Sequence, residues 1–134
     1  MTGTPLGKIL KGKVSCSDLL SCLYSLNTAE CDLFFSLYGL SELSLDTLAR
    51  KAGKDRSTVH RILEKLVMAG LCFKDSVSLE NGGYRNIYYT LDPAALVEKL
   101  EYDVARIEDG LESALGHFPG NFAERTGIQV QSSS

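Results

Sequence analysis

Four positions near the middle of the chain restrict its fold more than any others: Ala49, Gly53, Val59 and Ile62, at intervals of four, six and three residues. Two helices can cross closely through a short turn only if the first carries a small residue at the crossing. The second must present branched apolar side chains inward, and a residue between them must be free to reverse the chain. These four positions meet all three conditions, and their flanks agree. Ser44 can cap a helix from Leu45 to Ala52, with Asp46 and Thr47 in its first turn, and Gly53 can end it in the left-handed conformation. Asp55 or Ser57 can cap the next helix, from about Asp55 to Ala69, whose Val59, Ile62, Leu63 and Leu66 share an inner face. The spacing predicts a helix-turn-helix. Lys54 departs from the pattern, standing where an apolar residue commonly tucks into the turn, although its alkyl stem can pack there.

The rest of the chain extends this motif on both sides. Leu19, Leu20, Leu23 and Leu26 recur at helical spacing between Ser15 and Leu26, and Leu33, Phe34, Leu37 and Tyr38 do so in a helix from Thr28 to about Leu40. Beyond the motif, two extended segments, Leu71 to Leu79 and Tyr84 to Leu91, flank Glu80-Asn81-Gly82-Gly83, and Asn-Gly between β-rich runs predicts a hairpin. In the second segment Ile87, Tyr89 and Leu91 alternate with Asn86, Tyr88 and Thr90, so one face is expected to pack on the helices. Pro93 opens a last helix to about Phe118, where Pro119-Gly120 is expected to stop it. The fold read from these elements is mainly α with a small β-hairpin: a winged helix-turn-helix with an added N-terminal helix and a long C-terminal helix. Its expected parts are a flexible N-terminal arm over residues 1–14, the winged helix over 15–92, the long helix over 93–118, and a flexible tail over 119–134.

Composition narrows the function classes. With 134 residues, 44% apolar and 23% charged, the chain has room for one core and none of the marks of disorder. No apolar run approaches the roughly 20 residues that span a bilayer, and the start Met1-Thr2-Gly3-Thr4-Pro5 lacks a leader-like pattern, so a cytoplasmic protein is expected. Cys16, Cys22, Cys31 and Cys72 include no pair at the short spacing of zinc or redox motifs, and are read as reduced thiols. No metal and no cofactor is expected. The sequence has no Gly-rich phosphate loop, nucleophile elbow or His-Glu metal motif, and the adjacent Glu108 and Asp109 point about 100° apart on a helix. No catalytic residue is assigned, and the chain is not expected to be an enzyme.

The net charge of −3 hides an asymmetry. Between Arg50 and Lys65, the cations Arg50, Lys51, Lys54, Arg56, Arg61 and Lys65 meet only Asp55 and Glu64, a local balance of +4. Between Glu98 and Glu112 the balance is −4, with Lys99 and Arg106 against Glu98, Glu101, Asp103, Glu108, Asp109 and Glu112. One basic segment in an acidic chain is what a protein needs if a single face meets nucleic acid.

At these residues the chain resembles the winged-helix regulators of the TrmB and MarR type, common in archaea and bacteria. The likeness lies in Leu45-Asp46-Thr47-Leu48-Ala49-Arg50-Lys51-Ala52-Gly53, in Asp55 to Leu66, in Gly70-Leu71, and in Gly83-Tyr84-Arg85-Asn86-Ile87-Tyr88-Tyr89-Thr90-Leu91-Asp92-Pro93. The resemblance implies that the helix from Asp55 to Ala69 enters the major groove of double-stranded DNA and presents Arg56, Ser57, Thr58, His60, Arg61 and Lys65. Arg61 would grip a guanine edge, Ser57 and Thr58 would suit phosphate or base contacts, and His60 a base or phosphate contact. Arg50, Lys51 and Lys65 would meet phosphates, with Lys54 beside them at the turn, and Arg85 near the wing tip would reach the minor groove. Longer TrmB members carry a separate sugar-binding domain for which 134 residues leave no room, so direct effector sensing is not expected.

The last helix carries its own pattern. Val97, Leu100, Val104, Ile107, Leu111, Ala114 and Phe118 recur at intervals of three and four, the apolar seam of a coiled coil. A homodimer held by this seam is expected, and with it a palindromic operator whose half-sites lie about one helical turn apart. The function read from the sequence is sequence-specific DNA binding as a dimeric transcriptional regulator. The alternative is a winged-helix protein-interaction module in a transcription or replication complex, since such domains are often reused that way and the chain is acidic overall.

Overall fold

Short polar side chains set most of the helix starts. In the computed structural model, which describes residues 4–40 and 43–131, Ser15 and Asp18 form a reciprocal capping box at the start of α2 (Cys16–Tyr24). Asn27 and Glu30 form a second one for α3 (Thr28–Leu37). The Ser44 hydroxyl accepts from the Thr47 N–H and starts α4 (Leu45–Ala52). Asp55 holds the same position before α5 (Arg56–Met68), but its carboxylate takes the Ser57 hydroxyl at 2.6 Å instead of a backbone N–H.

The supposed loose arm contains a helix. α1 (Pro5–Leu10) begins where the Thr4 hydroxyl accepts from the Gly7 N–H, with Pro5 in the first turn. Lys8 then pairs with Asp18 at 3.3 Å, so the capping acid of α2 also ties α1 down.

The described residues form two compact units that meet in sequence between Leu96 and Val97. The first holds the core. Leu20, Leu26, Cys31, Leu33, Phe34 and Leu37 from the α2–α3 region pack with Leu48 and Ala49 of α4 and with Val59, Ile62, Leu63 and Leu66 of α5. Leu71, Cys72 and Tyr88 close it. Tyr38 stays partly exposed, its ring edge on Phe34 and its hydroxyl donating to the Leu91 carbonyl at 2.8 Å.

The hairpin pairs β1 (Cys72–Ser78) with β2 (Tyr84–Thr90) antiparallel, in a register running from Cys72↔Thr90 to Ser78↔Tyr84. Gly82 takes φ +87° in the turn, a conformation only glycine adopts without strain. A third extended segment meets it: Ser44 bridges to Ile87, and the Tyr88 N–H donates to the Leu43 carbonyl at 2.9 Å. That contact turns the Tyr88 face inward. Tyr88 is buried, whereas Tyr89, grouped with Ile87 and Leu91 in the sequence pattern, is exposed and stacks on Phe73.

α6 (Pro93–Thr126) starts at Asp92, which accepts from the Ala95 N–H, and runs beyond the expected stop. Pro119 has no N–H to give the Leu115 carbonyl and is unfavourable in a helix interior, yet the helix continues through it. Phe118 and Phe122 stack at 5.6 Å across it, and Gly127 at φ +74° follows the end. No residue of α6 is buried. Residues 132–134, the end of the supposed tail, lie outside the described residues, as do residues 1–3. Among the described residues no helix is long and apolar enough to cross a membrane.

Candidate nucleic-acid interface

The turn between α4 and α5 has the geometry that the four spaced residues predict. Ala49 is buried, Gly53 sits at φ +65°, and the Lys54 N–H reaches back to the Ala49 carbonyl at 3.2 Å, closing α4 with a left-handed cap. Val59 and Ile62 are buried on the inner face of α5. The chain therefore leaves α4, reverses in a single left-handed residue, and presents the outer face of α5 to solvent.

On that outer face the side chains divide into two groups. The first lies toward the hairpin. Arg56, His60 and Arg85 line one cleft together with Asp46, Tyr84 and Asn86, so the start of α5 and the wing share a groove. Arg56 is held there by Asp46 at 2.7 Å, and His60 lies 3.4 Å from Glu64, whose carboxylate also takes Lys74 of β1 at 3.0 Å. Ser57 is exposed beside them, and Thr58 is half-buried.

The second group turns toward α3. Lys65 donates to Glu30 at 2.8 Å and to the Ser25 carbonyl at 2.8 Å, and Arg61 lies 3.6 Å from the same carboxylate. Burial alone would raise the Glu30 carboxyl, but the Lys65 hydrogen bond, the Asn27 N–H and the charges of Lys65 and Arg61 hold it below the ordinary carboxylate value. Lys65, expected at a phosphate, is half-buried and bonded to α3 and to the end of α2.

Arg50, Lys51 and Lys54 remain exposed at the end of α4 and in the turn, and form no ion pair with the described residues. Lys51 and Lys54 line a groove together with Asp32, Leu33, Leu40 and Leu48, so the Lys54 stem borders apolar surface. Sequence reasoning missed the acids. Glu64 was legible as the i+4 partner of His60. The capping pair Asn27 and Glu30 was legible as a helix start, but not the contact of Glu30 with α5, which lies 31 and 35 positions further on in the sequence.

The seam residues Val97, Leu100, Val104, Ile107, Leu111, Ala114 and Phe118 all lie on α6. Val97, Ile107, Leu111 and Phe118 are large and exposed, and Leu115 joins them. Such a run of apolar surface on one helix is uncommon for a helix that stays in water.

The thiols divide by depth. Cys16 and Cys22 are exposed, whereas burial pushes Cys72 up to about 11 and also raises Cys31. At mildly alkaline pH a thiol reagent should label Cys16 and Cys22 first, Cys31 more slowly, and Cys72 roughly a hundredfold more slowly, until the chain is unfolded. Mass mapping of the labelled peptides checks this, and equal rates would contradict the burial. Among the described residues no group of three or more His, Cys, Asp or Glu is placed to hold a metal ion.

Comparison with known proteins agrees with this architecture. The family model described as the sugar-specific transcriptional regulator TrmB matches residues 20–94. An uncharacterized protein of Methanocaldococcus jannaschii is 27% identical over 70 residues, covering 52% of this chain and 53% of its own length. A second from the same organism is 32% identical over 80 residues, covering 60% and 66%. The chain spans about half to two thirds of the length of these relatives. A solved structure, a possible transcriptional regulator from Methanosarcina mazei, shares the winged-helix fold with a TM-score of 0.64 at 23% identity, over 75% of this chain and 86% of that one.

Proposed function

The chain belongs to the TrmB family of transcriptional regulators, and we propose that within it the chain binds double-stranded DNA sequence-specifically as a cytoplasmic, non-catalytic homodimer. The observation that carries this reading is the shared groove at the start of α5 and the wing, where Arg56, His60 and Arg85 come together. Arg50, Lys51 and Lys54 flank the same motif and are available to phosphates. Cations without an ion pair among the described residues supply the salt-dependent part of affinity, while a planar guanidinium on the outer face supplies base discrimination.

These roles predict different phenotypes. Arg61→Ala should lower affinity for a selected duplex by about 1–3 kcal/mol and relax preference at one base position. Lys51→Ala should weaken all sequences alike and shallow the salt slope by about one. Fluorescence anisotropy over a range of salt concentrations separates the two. Wild-type affinity in both variants would remove α5 and the turn from the interface.

A further inference from the structure

We propose that Glu30 is the positioning residue of the reading helix: its buried carboxylate fixes the direction of Arg61 and holds Lys65 on the turn before α3, so that Arg61 meets a base edge from one side. This rests on the DNA reading above and deepens it.

Capping does not explain the placement of Glu30. The cap of α3 needs only one contact from the Glu30 carboxylate, the Asn27 N–H on Oε1 at 2.8 Å. α2 has the same capping box with the shorter Asp18 in the equivalent place, whose carboxylate meets Lys8 of α1 and nothing of α5. The longer acid of α3 does more. Glu30 is 2% exposed, its Oε1 also accepts from Lys65, and its Oε2 faces the Arg61 guanidinium. A carboxylate this deep is stable only with such partners.

The two cations are left in different states. Lys65 is bound twice, and its second acceptor is the carbonyl of Ser25, which takes the left-handed φ of +59° where α2 ends. It therefore joins the α2–α3 turn to α5. Arg61 is 65% exposed, with one guanidinium nitrogen toward Glu30. A planar fork drawn toward a fixed carboxylate at one nitrogen leaves its remaining donors on the other side, where they can grip two acceptors on a guanine.

The test uses duplexes selected by the wild-type chain from a random pool. Base discrimination at each position is measured for wild type, Glu30→Asp, Glu30→Gln, Arg61→Ala and the Glu30→Asp/Arg61→Ala pair, with thermal melting alongside. Glu30→Asp keeps the charge and, as Asp18 shows, a residue able to cap, but shortens the reach. It should stay folded and reduce discrimination about threefold to tenfold at the position that Arg61→Ala erases, leaving other positions and the salt slope unchanged. The double variant should be no worse than Arg61→Ala alone. Glu30→Gln gives the same comparison should Glu30→Asp fail to fold. Unchanged discrimination in a folded Glu30 variant, or an equal loss at every position, makes Glu30 a packing residue and overturns the proposal while the DNA reading stands. A wild-type chain that selects no duplex overturns both.

Discussion

The double change Ile107→Asp and Leu111→Asp is expected to turn a dimer into a monomer and to lower affinity for a two-half-site duplex by about 10²–10⁴-fold. Both positions belong to the seam that runs from Val97 to Phe118 at intervals of three and four, and both are exposed, Leu111 by 66%. Two such seams packed together remove apolar surface from water along a helix that buries nothing of its own. An aspartate in the middle would have to be buried unpaired or force the helices apart. The loss of DNA affinity then follows from valency: two linked reading helices bind as one ligand, whereas a monomer engages one half-site. Affinity for a single half-site should remain at the wild-type level, because neither residue lies near α5 in the sequence and the winged helix keeps its own core. Sedimentation beside a binding titration checks both statements. Variants that stay dimeric and bind the full site tightly would show that the seam does not hold the dimer.

The second large effect is on folding. Phe34→Ala should cost about 3–5 kcal/mol of stability, the range for deleting a fully buried aromatic ring and leaving a cavity. Phe34 is 0% exposed and makes ring contacts with Phe35 at 5.7 Å and Tyr38 at 5.5 Å. Its neighbours in the core, Leu33 and Leu37, lie on the same helix that carries Glu30, so a collapse here also disturbs the support of α5. A loss of this size is a large part of the roughly 5–15 kcal/mol that holds a typical domain. Phe35→Ala, at a side chain 40% exposed, should cost clearly less, about 1–2 kcal/mol. Urea midpoints at constant slope measure the difference, and equal losses would contradict the assignment of Phe34 to the core.

What the sequence disclosed follows from the range of the forces involved. The helix-turn-helix was legible because its constraints are local: Ala49, Gly53, Val59 and Ile62 all take the roles their spacing requires. The hairpin was legible to within a residue because Asn81-Gly82 fixes the turn. α1 was hidden by Gly7 and Gly12, although Thr4 and Pro5 already supplied its cap and first turn. The inward face of β2 could not be read from hydropathy, since tyrosines stand on both faces and the bridge from Ser44 to Ile87 decides between them. Pro119 suggested a stop for α6 because its local penalty is large, yet the aromatic pair Phe118 and Phe122 spans it. The ion pairs of Arg61 and Lys65 with Glu30 join residues far apart in the chain, and counting charges along the sequence treated both cations as free. Among the proposed phosphate contacts, Lys65 has partners within the chain, whereas Arg50, Lys51 and Lys54 have no ion pair with the described residues.

The most direct test of the account is selection of double-stranded DNA from a random pool by the wild-type chain, with sequencing of the bound fraction and retention measured against salt. Sequence-specific binding by a dimer predicts one enriched palindrome whose half-sites lie about one helical turn apart, and retention that falls steeply as salt rises. A bound fraction with no enriched motif, or binding that salt leaves unchanged, would contradict it.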